Sequence, residues 1–223
     1  MVYRSLADCY RRFSRSSTVA ALDCETGEKM SYSELWDRST VIVRQLLNHT
    51  RNECNSEYTV VATYLPRGCT FLSAYVSLLR LPKFVLLPLE PDSSKAIERN
   101  KQAIKNVPVY FNQRAVSLVL VEDQDAGDKF REIYGVEGVD VIVLEQGGVH
   151  GTTLETSGED CTTDVFCLMQ TGGSTTGLPK LVPITHNMAL WEIEHYGQIV
   201  KTKGQSTVVH SFRVNFFTTP QYF

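Results

Sequence analysis

Two kinds of apolar pattern alternate along the chain, one with helical spacing and one of short unbroken runs. Leu35, Ser39, Ile42 and Leu46 share one face at helical spacing. Ahead of them, Ser31-Tyr32-Ser33-Glu34 reads as a capping box, with a hydroxyl at the N-cap and a carboxylate three residues on. Thr59–Leu65 (TVVATYL) is short and β-branched, which predicts a buried strand. Pro66-Arg67-Gly68 turns the chain, and Thr70–Leu81 is apolar almost all round, as a helix covered on most sides must be. Phe84–Pro88 predicts the next strand. Strand, helix, strand is a βαβ unit, whose two strands run parallel.

The alternation continues more weakly. A polar helix is predicted from Ser93 to about Lys105, then strands at Val107–Phe111 and Ser117–Val121, a short charged helix at Asp125–Tyr134 and a strand at Val139–Leu144. The fold class that follows is α/β, with layered sheets and flanking helices. Glu145–Thr163 is rich in Gly, Thr, Ser, Glu and Asp and predicts a flexible exposed loop. Two more strand-like runs follow, Val165–Met169 and Leu181–Ile184, and a third spans Thr207–Phe217. Thr185 is placed to cap a helix starting at His186, with apolar positions that include Met188, Trp191 and Ile193. No internal repeat is present.

Composition narrows the function classes. Hydrophobic residues make up 43% and charged residues 21%, the profile of a soluble globular protein. A formal charge of −3, with no basic run interleaved with aromatics, gives no reason to expect a nucleic-acid partner. Cys9, Cys24, Cys54, Cys69, Cys161 and Cys167 form no CxxC pair, so reduced thiols are expected rather than a zinc site or disulfide framework. Arg4, Arg11, Arg12 and Arg15 precede no apolar run, so no secretory signal is read. Val60–Leu89 is broken by Arg67, Arg80 and Lys83, which leaves no transmembrane segment. A cytoplasmic protein is the expectation.

The chemistry concentrates in Gln170-Thr-Gly-Gly-Ser-Thr-Thr-Gly-Leu-Pro-Lys180, between two strand-like runs. Its glycines let the backbone approach a ligand closely and turn successive N–H groups toward it. Thr171, Ser174, Thr175 and Thr176 add hydroxyl donors, and Lys180 adds a compact positive charge after the stiff Pro179. A plain polar hairpin turn accounts for the Gly, Ser and Thr content, but not for four clustered hydroxyls followed by Pro-Lys. A P-loop is excluded on two counts. Gly172 and Gly177 fit GxxxxG, yet Leu178 and Pro179 stand where Lys and Ser or Thr are required. The loop also leads into a strand pattern, not into the helix a P-loop uses.

Thr171–Lys180 and its continuation Leu-Val-Pro-Ile-Thr-His186 resemble the signature of the adenylate-forming (acyl-activating, AMP-binding) superfamily. That group includes acyl-CoA synthetases, luciferases and the adenylation domains of peptide synthetases. Met30–Leu35 resembles the family's Thr-Tyr-x-Glu-Leu block, and Ala74–Ser93 resembles its helix–strand block. The three blocks stand in the family's order over roughly residues 3–200. The loop departs from the pattern by one extra hydroxyl residue within Ser174-Thr175-Thr176. That insertion is expected to move some N–H groups off the phosphates.

The resemblance implies the acetyl-CoA synthetase-like fold, with residues 1–223 as an incomplete N-terminal domain and the C-terminal domain absent. It implies ATP with Mg2+, a small-molecule carboxylate as substrate, and CoA or a carrier protein's phosphopantetheine as acceptor. Thr171, Gly172, Gly173, Ser174, Thr175, Thr176, Gly177 and Lys180 are the implied nucleotide-binding residues. No catalytic residue or metal ligand is assigned in this chain. The family's aromatic-Gly-x-Thr-Glu block, ribose-binding Asp and C-terminal Lys are not found before Phe223. The chain is therefore expected to be a fragment inactive in adenylation by itself, with a truncated non-catalytic binding module as the alternative. His186 is read as the first residue of the helix that Thr185 caps, His210 as a packing or surface residue, and Glu34, Glu90 and Asp92 as cap and turn residues.

Overall fold

A computed structural model describes residues 5–50, 58–91, 94–111, 113–145, 164–171 and 180–199. Among them the chain builds helix α1 (Leu6–Arg11), the hairpin β1 (Val19–Leu22) and β2 (Lys29–Ser31), and helix α2 (Tyr32–Thr50). Then come β3 (Thr59–Tyr64), α3 (Cys69–Leu79), β4 (Phe84–Leu89), α4 (Ser94–Tyr110), β5 (Val116–Val121), α5 (Gln124–Tyr134) and β6 (Asp140–Val143). The last elements are β7 (Val165–Gln170), β8 (Leu181–Thr185) and α6 (His186–Ile199).

The described strands form the two-stranded β1–β2 sheet and a six-stranded sheet in the order β6-β5-β3-β4-β7-β8. β6, β5, β3, β4 and β7 pair in parallel, and β8 joins β7 antiparallel. The period of two sends alternate residues to opposite faces. Val61, Leu86, Leu118 and Met169 pack with Leu35 and Leu46 of α2, Tyr75 of α3, Leu6 of α1 and Leu190 of α6. Val60, Ala62, Val85, Leu87, Val119 and Leu168 pack with Ala103 and Val107 of α4 and Phe130 of α5. The result is three layers, helices on both faces of a mostly parallel sheet, as the βαβ reading requires.

The capping box is formed as read. The Ser31 N–H donates to Glu34 Oε2 at 2.7 Å, and the Glu34 N–H donates to Ser31 Oγ at 3.2 Å. Leu35, Ser39, Ile42 and Leu46 are buried on the face the spacing predicts. At the start of α3, Gly68 holds φ at +143°, and a Cβ there would meet Asp23 Oδ2 at 2.9 Å. Serines are tolerated in that apolar helix because Ser73 and Ser77 donate back to the carbonyls of Cys69 and Ala74.

One expectation is corrected, and three elements add what the sequence left unread. No strand forms at Val107–Phe111, because α4 runs through to Tyr110 with Pro108 inside it. Ala96, Asn100, Ala103, Val107 and Phe111 are buried at spacings of three and four, whereas Val109 is 76% exposed. A strand would have put Val107, Val109 and Phe111 on one face, so the period is helical. Pro108 removes only one bond near the end of the helix. In α6 the buried apolar positions among the described side chains are Ala189 and Leu190, with Ile193 partly buried against the same core, while Met188 and Trp191 are exposed. Helix α1 and the β1–β2 hairpin had no counterpart in the sequence reading. α1 is too short to show a period, and the hairpin announces itself only through Asp23 and Gly27, whose turn closes by Asp23 Oδ1 accepting from Glu25.

Candidate functional site

The Gly-rich segment is the connection of the β7–β8 hairpin at one edge of the sheet. Gln170 pairs with Leu181 and Met169 with Val182, so the strands stay in register up to the segment's two ends. There Thr171 and Lys180 meet. The Thr171 N–H donates to the Lys180 carbonyl at 2.9 Å, and the Lys180 N–H donates to Thr171 Oγ1 at 3.0 Å. Both residues are exposed, so the Lys180 charge and the hydroxyl stand at an open mouth. Gly172, Gly173, Ser174, Thr175, Thr176 and Gly177 lie outside the described residues, as does the one-residue excess.

The hairpin is anchored at its other end too. The His186 N–H donates to the Asp164 carbonyl at 3.1 Å, closing the strand pair from outside. Thr185 caps α6 by accepting from the Met188 N–H at 3.2 Å, as the sequence reading expects. His186 is buried, and its Nδ1 accepts from the first N–H of α1, that of Leu6, at 3.2 Å. Burial lowers its pKa to about 4, against the smaller opposing pull of Asp164. The ring is thus a neutral acceptor that fixes α1 to the hairpin. It is no general base for the loop mouth.

Two buried carboxamides hold the neighbouring wall at the carboxyl end of β4. Asn100, 1% exposed, accepts from the Glu90 N–H at 3.2 Å and donates to the Glu90 carbonyl at 2.7 Å and to Tyr134 Oη at 2.9 Å. Arg99 pairs with the Glu90 carboxylate. Glu90 is therefore a turn residue, as read, with side-chain partners of its own. Gln170, 5% exposed, donates from Nε2 to the Pro88 carbonyl at 3.2 Å. Gln170 opens the Gly-rich segment in the sequence, but neither carboxamide's partners are legible there, since they are distant or main-chain.

Mouth and walls bring hydrogen-bonding groups and the Lys180 ammonium to the carboxyl end of a parallel sheet, where α/β folds place their ligands. Among the described residues, no group of three His, Cys, Asp or Glu is placed to hold a metal. A cleft of about 320 Å³ beside β6, lined by Phe130, Gly135 and Val139, lies at the opposite edge of the sheet and takes no part in the mouth. No described helix is long and apolar enough to cross a membrane.

Comparison with known proteins bears on the family and the fold. The family described as AMP-binding enzyme matches residues 10–222. No curated protein matches the chain. The solved structure of VinN with L-aspartate superposes with a TM-score of 0.68 at 17% identity, covering 89% of this chain and 48% of that one. The fatty acid AMP ligase from Legionella pneumophila gives 0.70 at 19% identity, covering 90% and 34%. The Klebsiella oxytoca NpsA N-terminal subdomain, in complex with 3-hydroxybenzoyl-AMSN, gives 0.62 at 16%, covering 86% and 43%. The chain thus spans about half the length of VinN and less of the other two. At these identities the likeness is one of fold, that of the N-terminal part of adenylate-forming enzymes.

Proposed function

The chain belongs to the AMP-binding enzyme family, and from that premise we propose that the Thr171–Lys180 hairpin binds the phosphates of ATP for activation of a carboxylic acid as its acyl-adenylate. The observation that carries this is the pinned mouth, where Thr171 and Lys180 exchange two hydrogen bonds at the carboxyl end of the sheet. Its donor set suits a polyphosphate: a hydroxyl, a lysine ammonium and, from the sequence, three further hydroxyls and the glycine N–H groups. In the reaction, a carboxylate oxygen attacks the α-phosphorus and pyrophosphate leaves. The role of Lys180 and the hydroxyls is to stabilise charge on the departing group.

Mg2+ belongs to this reading as the counter-ion that would accompany the phosphates, and no described residue is assigned to hold it. The acyl group would then pass to a thiol, of CoA or of a carrier protein's phosphopantetheine. A cytoplasmic setting belongs to the same reading, and Cys9, Cys24, Cys69 and Cys167 are all free thiols. Because the chain spans about half of VinN, adenylation is assigned to the larger assembly of the fold, and binding to this chain.

The second reading, a non-catalytic binding module, draws on the extra hydroxyl residue in Ser174–Thr176. ATP–pyrophosphate exchange by the purified 223-residue chain, over a panel of aliphatic, aromatic and amino acids, separates the parts of the proposal. Saturable Mg-ATP binding without exchange is expected. Exchange with any acid would refute the assignment of catalysis to the larger assembly, and absence of binding would refute the site.

A further inference from the structure

β4 and β7 are parallel neighbours, yet their ladder is registered at Leu86↔Cys167 alone. Pro88 stands two residues further along β4 and has no N–H to contribute. Its carbonyl, buried in the sheet, still needs a donor. The donor is the side chain of Gln170, whose Nε2 reaches it at 3.2 Å. Gln170 is the last residue of β7 and the one before Thr171, so this bond ties the strand end that carries the loop mouth to the β4 wall.

The same carboxamide carries a cost. Gln170 Oε1 is buried and has no hydrogen-bond partner among the described residues. An orphaned buried oxygen is unfavourable by about as much as a neutral hydrogen bond is favourable, so stability alone does not account for glutamine here. An apolar side chain of equal length would remove that orphan but leave the buried Pro88 carbonyl without its donor. What it would lose is the tether.

We infer that Gln170 is a positioning residue, whose carboxamide replaces the lapsed β4–β7 ladder and sets the Thr171–Lys180 mouth against the carboxyl end of β4. The inference refines the ATP-binding reading where it concerns nucleotide affinity, and stands on the fold alone where it concerns the tether. The variant to make is Gln170→Met, with Gln170→Leu as a second in case the first does not fold.

Amide hydrogen exchange by NMR on the 223-residue chain reads the tether directly. The Thr171 and Lys180 amides are expected to exchange roughly tenfold faster in the variant, about the factor one hydrogen bond is worth, with the Met169 and Val182 amides unchanged. Thermal stability should fall by no more than about 4 °C, since the orphan removed at Gln170 offsets the one created at the Pro88 carbonyl and leaves the loss of about one hydrogen bond. Unchanged exchange at Thr171 and Lys180 overturns the inference. So does acceleration spread evenly over β7 and β8 with a fall in melting temperature, which would mark Gln170 as ordinary packing. A Mg-ATP titration of the same samples then tests the refinement. Weaker binding by the variant extends the tether to the ligand. Failure of wild type to bind Mg-ATP refutes the ATP reading while the exchange data still decide the tether.

Discussion

Ser31 and Glu34 show how far a local rule reaches. Each closes on the other's free backbone N–H, and the bonds from Ser31 hold the exposed Glu34 carboxyl below the usual carboxylate range. Ser31→Ala should cost about 1 kcal/mol, read as a lower urea midpoint at unchanged slope. The pair was legible in the sequence because both partners lie within four residues. Thr185 was legible for the same reason, as were Thr171 and Lys180 as members of one motif. The bond from Gln170 and the role of Asn100 were not. Their donors and acceptors meet main-chain groups of another strand, and no spacing rule links position 170 to position 88. The function of a glutamine becomes visible only when the sheet order is known.

At the level of elements, the seam between α2 and α3 rests on Arg80, which is 3% exposed and has no carboxylate among its hydrogen-bond partners. Its Nη1 donates to the Trp36 carbonyl, Ser39 Oγ at 2.6 Å and Thr40 Oγ1 at 2.8 Å, while the guanidinium lies 3.9 Å from the Trp36 ring centroid. Burial lowers its pKa to about 10, so it stays charged at neutral pH. Arg80→Ala should destabilise by about 3 kcal/mol, through lost packing as well as lost hydrogen bonds, with the change visible in thermal melting. Sequence reading treated Arg80 only as a charge that interrupts an apolar stretch, because its partners sit about forty residues away on α2.

A second link between elements makes a pH prediction. His186 is neutral while it accepts from Leu6, with its folded pKa lowered to about 4 from an ordinary 6.5. Below pH 6.5 the unfolded chain takes up a proton that the folded chain refuses, so stability falls as pH drops toward 4 and is fully present above 6.5. The full swing is about 3 kcal/mol. Urea midpoints at intervals from pH 7.5 to 5 should show the decline above the carboxylate range. His186→Phe should flatten the profile there; an equal slope in the variant would assign the effect to other groups. The strand predicted at Val107–Phe111 was lost for a different reason. Pro108 and the β-branched pair Val107 and Val109 imitate a strand, while the burial of Asn100, Ala103 and Val107 shows that helical contacts with the sheet prevail.

At the scale of the molecule, the described residues form a parallel-rich sheet between two helix layers, with the candidate site on the edge hairpin where the chain reverses. That architecture followed from the βαβ pattern, since buried parallel strands read as short unbroken apolar runs. The sheet order did not, because the chain crosses from β4 over β3 to β5 and no local signal reports which neighbour a strand takes. The central claim is that the β7–β8 hairpin receives a polyphosphate through Thr171 and Lys180. Calorimetric titration of Mg-ATP into the 223-residue chain and into Lys180→Ala tests it most directly. Lys180 is exposed, so the substitution should leave the melting temperature in place. The account predicts one saturable site in wild type, weakened at least roughly tenfold in the variant by the loss of a charge-assisted contact. No binding in wild type, or equal affinity in the two proteins, would contradict it.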